Sequence, residues 1–264
     1  MEGQQSPHTG TSEPTFAVPY APPVTHSPEL AQFVNREAEN RVTADISTRL
    51  PKVEHPADVK AVVGVLLDTQ DDDTVRHEAA NLLRRSGYAG LTDDLLKILN
   101  NPNEKERFRS FVVQHLWSQA EKAAPAERVK ITDVLHVSLA DRHTAVRREA
   151  LLALVRMKDP QGFETALKWL DDPSPEMDAL RDLCVRVVRE QNLREHLPRV
   201  RQLLRSPNDD VKRQAMVTVG DWGDQGSRPA LEEAAKSDKP LVKSAATAAL
   251  KHLDAAKAKA PAAP

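Results

Sequence analysis

The sequence has little of the residue types that build sheets, disulfides and membrane spans. Only 4% of its 264 residues are aromatic, nine are glycine and one, Cys184, is cysteine. Strands favour aromatic and β-branched residues, so this composition favours helices. A lone cysteine excludes an internal disulfide and is typical of a reducing compartment.

Long apolar runs are also missing, and no run approaches the roughly 20 residues that span a bilayer. The first residues, MEGQQSPHTG, lack the basic and apolar regions of a signal peptide. The formal net charge of −2 provides no strong field that would attract nucleic acid or an anionic membrane. We therefore expect a cytoplasmic protein that does not associate with membranes.

The main feature that is present is an internal repeat, in which a hydrophobic residue is followed directly by a basic one. The basic residues recur at intervals of 31 to 38 residues. Four residues after the hydrophobic anchor the side chain is small or medium-sized, and eight residues after it the side chain is Leu or Val. This spacing predicts a helix that buries one stripe against its neighbours. The six basic residues are Arg76, Arg109, Arg147, Arg181, Lys212 and Lys243.

A second apolar-periodic segment precedes each anchor, and the connectors are rich in Asp, Asn and Pro. Each unit is therefore predicted to be two antiparallel helices joined by a short acidic turn. Such pairs cannot bury their faces alone and must stack. The sequence predicts an all-α solenoid, or superhelix, of about six helix pairs over residues 52–253. We expect an amphipathic helix at 28–50, a disordered tail at 1–27 and a flexible tail at 254–264.

Two phrases in these units, HTAVRREALLAL and NDDVKRQAMVTV, resemble HEAT repeats of the short bacterial type found in PBS (bilin) lyase-like proteins. The resemblance covers about three quarters of the chain. It implies a helical-repeat architecture that is shared by scaffolds, adaptors and a few enzymes, so it is specific for the fold and not for a function.

The adjacent pair His77-Glu78 is similar to the His-Glu pairs with which the deoxyhypusine hydroxylase family holds two iron ions. The same two positions in the other five units do not hold a His-Glu pair. The corresponding dipeptides are Ser110-Phe111, Arg148-Glu149, Asp182-Leu183, Arg213-Gln214 and Ser244-Ala245. A two-metal site needs several converging nitrogen and carboxylate ligands. We therefore predict no metal and no cofactor, and we interpret His77 as a solvent-facing residue beside an ordinary repeat glutamate.

Two further candidates for chemistry have simpler structural explanations. Cys184 falls in the small inward column, which predicts a buried thiol and not a nucleophile. The glycine-rich phrase GDWGDQG, residues 220–226, follows a helix and is typical of a C-terminal turn, not of a phosphate loop. No catalytic set is recognisable, and we expect a protein without enzymatic activity.

The basic column itself is predicted to form a ladder between repeats, with each base reaching a neighbouring turn. A second group of basic residues is concentrated in residues 179–213, which carry nine basic and five acidic residues. The second helix of each HEAT pair lines the concave face of the superhelix. Positions two, six and nine after the anchor are expected there, and they select Arg148, Arg186, Arg189, Arg213 and Trp117 as candidate partner-binding residues.

Three functions are compatible with these features. The leading hypothesis is a non-catalytic scaffold or adaptor that binds a partner protein on the concave face. The first alternative is a nucleic-acid-binding protein or helical-repeat DNA glycosylase, in which Trp117 or Trp169 and the arginines would hold a base. The second alternative is a bilin lyase-like enzyme, which rests on fold resemblance alone. Residues 28–50 are expected either to cap the first repeat or to fold into the groove.

Overall fold

The computed structural model describes residues 25–38, 41, 46–50 and 52–259. These residues form fourteen α-helices and three short 3-10 helices, and no strand occurs among them. The chain divides into two compact units, residues 1–86 and 87–264. The predicted all-α fold is confirmed.

The first unit contains one complete helix pair preceded by two short helices. α3 and α4 form the pair, while α1 packs on α3 and α2 packs on α4. The bounds are Pro28–Val34 for α1, Ile46–Arg49 for α2, Pro56–Leu67 for α3 and Asp73–Arg85 for α4.

The predicted continuous helix at 28–50 is wrong, because α1 ends at Val34. Asn35 has an extended backbone, and its side-chain oxygen accepts a hydrogen bond from the amide of Glu37 at 3.1 Å. Arg41 then donates to the carbonyl of Phe33 at 2.6 Å and forms a bidentate pair with Asp71. These contacts replace the helical hydrogen bonds that the apolar periodicity predicted.

The second unit contains five further helix pairs, so the described residues form six pairs, which agrees with the predicted number. The first helices of the pairs are α5 (Leu91–Asn100), α7 (Pro125–Ser138), α9 (Pro160–Asp171), α11 (Leu197–Leu203) and α13 (Arg228–Ala234). The second helices are α6 (Glu106–Ala120), α8 (Thr144–Arg156), α10 (Arg181–Glu190), α12 (Asp209–Asp221) and α14 (Pro240–Lys259). Each second helix packs against the next one, from α6 to α14. Together the second helices form one layer.

The core follows the predicted columns. In α8, for example, the anchor Val146 and the residues four and eight positions later, Ala150 and Leu154, are fully buried. The one departure is Leu250 in α14, which is half-buried. Small residues let neighbouring helices approach closely. At Gly220, nine residues after the anchor Val211, an added Cβ would lie 2.9 Å from Ala249.

Local sequence explains where several helices begin. Asp159 caps α9 by accepting a hydrogen bond from the amide of Gly162 at 2.9 Å, and Pro160 occupies the first turn, where its missing amide hydrogen costs nothing. Asn208 caps α12 in the same way, accepting from the amides of Asp210 and Val211. Asp72 and Asn208, from two of the acidic and Asn-rich connectors, therefore cap α4 and α12, whereas α6, α8 and α10 begin without a side-chain cap.

The C-terminal helix is longer than the sequence predicted. The flexible tail was expected from residue 254, but α14 continues to Lys259. Ala and Lys are good helix formers, and Asp254 pairs with Arg228 at 2.6 Å. Predicted tail residues 1–24 and 260–264 lie outside the described residues, and the domain boundary at residue 52 remains a prediction. None of the described helices is both long and apolar enough to cross a membrane.

Candidate partner-binding surface

The predicted ladder residues lie at the turn edge, which we define as the side of the repeats where each first helix turns into its second helix. Arg109 donates to the carbonyls of Leu99 at 2.6 Å and Asn101 at 3.2 Å, at the end of α5. It also pairs with Asp141, in the turn of the next repeat. Arg109 therefore satisfies carbonyls left open at a helix end and links two repeats.

The other ladder arginines make the same kind of contact inside their own repeat. Arg181 donates to the carbonyls of Asp172 and Ser174 after α9, and pairs with Asp178. Arg76, fully buried in the first unit, donates to the carbonyl of Leu66 at 3.1 Å.

Arg147 bonds to the carbonyl of Asp141 at 3.1 Å, in the turn of its own repeat. Among the contacts described for the second unit, only that of Arg109 joins an arginine of this column to the next turn. The expected inter-repeat ladder is therefore mainly a set of caps within repeats. The reason is geometric: the arginine follows the buried anchor in the first turn of the second helix, close to the last carbonyls of the first helix.

The column changes at its C-terminal end, where lysine replaces arginine. Lys212 is half-buried and lies 3.7 Å from Asp209, and Lys243 is exposed. An ammonium group lacks the planar fork of donors that lets arginine contact two or three carbonyls at once. Capping by the basic column is therefore strongest in the earlier repeats.

The candidate binding residues lie on the second-helix layer, but each of the four arginines is already paired with an acidic residue. Arg148 on α8 forms a bidentate pair with Asp182 on α10, with both distances at 2.6 Å, and donates to the carbonyl of Ala179. The hydrogen bonds to Asp182 raise the pKa of Arg148 above its ordinary value, although burial opposes the shift. Arg148 is a fixed guanidinium with its charge compensated across two repeats.

The three other arginines are paired less tightly. Arg186 lies 3.6 Å from Glu190 on its own helix, and Arg213 lies 2.9 Å from Asp210 on its own helix. Arg189 on α10 lies 3.8 Å from Asp221, a residue of α12. Asp221 is also 3.0 Å from His252 of α14, so three successive second helices contribute to one polar cluster.

Trp117 has a cationic neighbour that the sequence analysis did not identify. The guanidinium of Arg156 on α8 lies 4.7 Å from the ring centroid of Trp117 on α6, within cation–π distance. Trp169 is on α9, in the layer of first helices. The two tryptophans that motivated a base-binding site are therefore on different layers.

We use the name second-helix face for the row formed by these side chains on α6, α8, α10, α12 and α14. It combines an aromatic–cation contact with basic and acidic groups that alternate between repeats. The acidic members were missed by the sequence analysis, which selected four arginines and Trp117. The sequence did contain a signal, because Arg148 and Asp182 occupy the same column, two residues after the anchor, in successive units.

The predicted basic patch at 179–213 is not one surface. Arg181 is buried at the turn edge, whereas Arg186 and Arg189 belong to the second-helix face. Arg199 and Arg201 are on α11 in the first-helix layer, where Arg201 pairs with Asp224 and Arg199 donates to the carbonyl of Leu170. The excess of positive charge is divided among three sides of the helix pairs.

The residues considered for catalysis have structural surroundings. Cys184 is fully buried, and burial raises the pKa of its thiol to about 12, which makes the nucleophilic thiolate scarce at neutral pH. Residues 220–226 form the end of α12 and the following turn, where Gly223 has a φ of 68° that favours glycine. The predicted burial of Cys184 and the predicted turn at residues 220–226 are therefore present in the structure.

The interpretation of His77-Glu78 needs a correction, because neither residue faces solvent freely. His77 is half-buried, and burial is the main cause that lowers its pKa, while Glu78 is buried and accepts a hydrogen bond from Asn81 at 3.3 Å. Within the described ranges, no group of three or more His, Cys, Asp or Glu residues is arranged to hold a metal ion.

Comparisons with known proteins support the repeat architecture. Residues 163–251, which run from within α9 to within α14, match the family model for HEAT repeats. No curated protein matches the sequence. The HEAT-repeat signature is thus found in the C-terminal repeats of the all-α solenoid.

Solved structures with a similar arrangement of helices include designed and natural proteins. An engineered protein has 16% sequence identity and a TM-score of 0.47, over 75% of this chain and 99% of its own. A designed armadillo repeat protein in complex with the peptide (KR)4 has 17% identity and a TM-score of 0.45, over 87% of this chain and 100% of its own. Human deoxyhypusine hydroxylase in complex with glycerol has 18% identity and a TM-score of 0.38, over 86% of this chain and 80% of its own. At such identities and TM-scores, the similarities say nothing about what this chain binds.

Proposed function

We propose that the protein is a non-catalytic interaction scaffold or adaptor that binds a partner protein over the second-helix face. The observation that carries this proposal is the row of half-exposed charged and aromatic side chains contributed by successive second helices. Such a row offers an extended surface and not a small-molecule pocket. Extended surfaces built from stacked repeats are the usual binding surfaces of solenoid proteins.

The chemistry of the face favours a protein partner with both signs of charge over a nucleic acid. A phosphate backbone is bound by several cations whose charges are available to it. Here Arg148, Arg189 and Arg213 each face a carboxylate of the same chain. A partner surface with alternating basic and acidic groups can pair with both members of these contacts.

Two narrower proposals rest on the sequence. The phrases that resemble short PBS lyase-like repeats support that repeat type, although no bilin-binding feature accompanies them in the described residues. The single, buried Cys184 supports a reducing, cytoplasmic location.

A charge swap tests the binding face without removing its internal ion pair. In the double variant Arg148→Asp with Asp182→Arg, the two charges exchange places, so we expect the thermal midpoint to remain close to that of the original chain. The order of charges presented to a partner is reversed. We therefore expect that affinity purification with mass spectrometry will no longer recover, with the swap variant, the proteins that the original chain captures.

The matched control is Lys168→Glu, which changes an exposed charge on the first helix α9. It should retain the captured proteins. If the folded swap variant captures the same proteins as the original chain, the second-helix face is not the binding surface.

A further inference from the structure

A groove runs between the first helices of the last two repeats, on a side of the protein that the second-helix face does not include. Three adjoining cavities of about 390, 290 and 390 Å³ form it. The cavity at the turn edge and the middle cavity share Leu204, Arg205 and Ala230 as walls. The middle cavity and the third one share Gly226. We name this feature the α11–α13 groove.

The groove exists because its helices are short and its side chains are small. α11 and α13 have seven residues each, compared with fourteen in α7. Gly226, Ala230 and Ala234 contribute little volume to the walls. At Gly226 an added Cβ would lie 2.6 Å from the guanidinium of Arg201, so the glycine leaves room for that side chain.

The change from arginine to lysine in the basic column coincides with the opening at the turn edge. In the preceding repeat, Arg181 extends to the carbonyls that follow α9. Lys212 occupies the same column, but its ammonium group is 3.7 Å from Asp209, and the cavity is lined by Lys212, Leu204 and Arg205. The space near the end of α11 is therefore open.

The cations of the groove differ in how they are compensated. Arg201 pairs with Asp224, which also accepts a hydrogen bond from Ser227, and Arg201 is the main cause that lowers the pKa of Asp224. Arg194 lies over the ring of Trp222 and donates to its carbonyl at 3.2 Å.

Arg205 is exposed at the boundary of two cavities, and no ion pair with an acidic residue is found for it in the described part of the chain. Asp224 and Glu233 are the acidic residues in the groove walls. Asp224 pairs with Arg201, and Glu233 pairs with Lys236 at 3.0 Å. An incoming anion therefore meets Arg205 without displacing a carboxylate, whereas Arg194 is already held by the ring and carbonyl of Trp222.

We propose that the α11–α13 groove binds an acidic, extended segment of a partner protein, with Arg205 as the principal contact for a carboxylate. A helix of seven residues is roughly 10 Å long, which corresponds to about three residues of extended chain. Side chains alternate between two sides of such a segment. One side can present acidic groups to Arg205 while the other places small side chains over Ala230 and Gly226.

An extended peptide fits this groove better than a nucleic acid does. Nucleic acids are typically held through several phosphate contacts, and each contact needs a cation. In the described part of the chain, Arg205 is the groove cation whose side chain has no hydrogen bond or ion pair. Arg201 is paired with Asp224, Lys212 lies close to Asp209, and Arg194 contacts the carbonyl and ring of Trp222. The groove walls instead provide small and apolar surface from Leu204 and Ala230.

The proposal is tested with short capped peptides and the full chain. One peptide alternates Glu with Ala, and its matched control alternates Gln with Ala. In an NMR titration of the isotope-labelled protein, we expect the Glu peptide to shift the amide signals of Arg205, Ala230 and Gly226. Weaker shifts with the Gln peptide are expected, because the charge of the carboxylate is absent.

Two variants separate charge from shape. Arg205→Glu should weaken binding of the Glu peptide by about tenfold, since it reverses the principal charge contact. Ala230→Phe keeps the charges and fills the shared wall, and it should weaken binding of the Glu peptide as well. Lys168→Glu makes the same change of charge on the first helix α9, away from the groove, and this variant should bind as the original chain does.

Three results would overturn the proposal. The first is the absence of shifts at the groove with millimolar Glu peptide. The second is equal binding by the original chain and by folded Arg205→Glu. The third is tighter binding of single-stranded oligouridine than of the Glu peptide in the same groove, which would make the ligand a nucleic acid. None of these results depends on the second-helix face, so the two binding proposals can fail independently.

Discussion

The turn edge carries a column of basic residues, whereas the corresponding column of the second-helix face alternates between basic and acidic residues. Adjacent positions in the sequence contribute to the two columns. Arg147 at the turn edge donates to a backbone carbonyl, whereas Arg148 on the face pairs with a carboxylate of the next repeat. A step of one residue turns the side chain by about 100° around the helix. The side chain at one position therefore bonds within its own repeat, while the side chain at the next position forms an ion pair with the neighbouring repeat at the surface.

This difference shows how the environment determines what a basic residue does. At the turn edge, Arg181 is 6% exposed, and its loss would leave carbonyls without a partner. On the face, the side chain of Arg213 is 38% exposed and that of its partner Asp210 is 71% exposed, so water screens the pair. We expect the turn edge to determine stability and the face to determine recognition.

The largest effect is predicted for Arg181→Met at the turn edge. The substitution keeps much of the apolar stem but removes the donors to Asp172 and Ser174 and leaves Asp178 unpaired. We expect a loss of about 3 kcal/mol in the free energy of unfolding. Urea denaturation followed by tryptophan fluorescence measures this for the second unit alone, because all three tryptophans, at positions 117, 169 and 222, lie within residues 87–264.

Lys243→Met is the matched control for that prediction, because Lys243 occupies the same column but is exposed. A surface substitution of this kind changes stability by about 0.5 kcal/mol or less. Similar losses in the free energy of unfolding for the two variants would contradict the claim that the buried arginine at the turn edge stabilises the fold.

A smaller effect is predicted on the face for the pair Arg148–Asp182. A double-mutant cycle with Arg148→Ala and Asp182→Ala should give a coupling free energy of about 1 kcal/mol, because the pair is bidentate but partly screened by water. The same cycle for Arg213 and Asp210 should give about 0.3 kcal/mol, as expected of exposed pairs on one helix. Equal coupling in the two cycles would contradict the difference in geometry.

The smallest predicted effect concerns His77 in the first unit. Burial lowers its pKa in the folded chain, while the unfolded chain has an ordinary value of about 6.5. The unfolded state therefore binds the proton first, so the folded state loses stability as the pH falls below that ordinary value. The variant His77→Gln should lose less stability than the original chain between neutral and mildly acidic pH, as measured by circular dichroism during urea unfolding. An identical pH dependence would show that His77 is not responsible for any such loss.

The sequence predicted the fold well because burial repeats with the helical period. The columns of Val146, Ala150 and Leu154 could be read from spacing alone, since an inward position must be apolar in every repeat. Periodicity could not show that α1 ends at Val34, because that end depends on Arg41 reaching Phe33 and Asp71. Such a contact joins residues that are distant in sequence.

The surface was less predictable because a charge count does not identify which charges are compensated. The excess of basic residues at 179–213 suggested one basic patch, but Arg181, Arg189 and Arg201 point to different sides of the repeats and have different partners. The α11–α13 groove has no signature in the sequence apart from the change from Arg181 to Lys212 in the basic column. Its walls come together only in the folded chain.

The most direct test of the central claim is hydrogen–deuterium exchange of the full chain with and without a captured partner protein. We predict protection of the second helices, residues 144–156, 181–190 and 209–221, with little change in the first helices of the same repeats. Protection confined to the first helices α7, α9 and α11 would contradict the assignment of partner binding to the second-helix face.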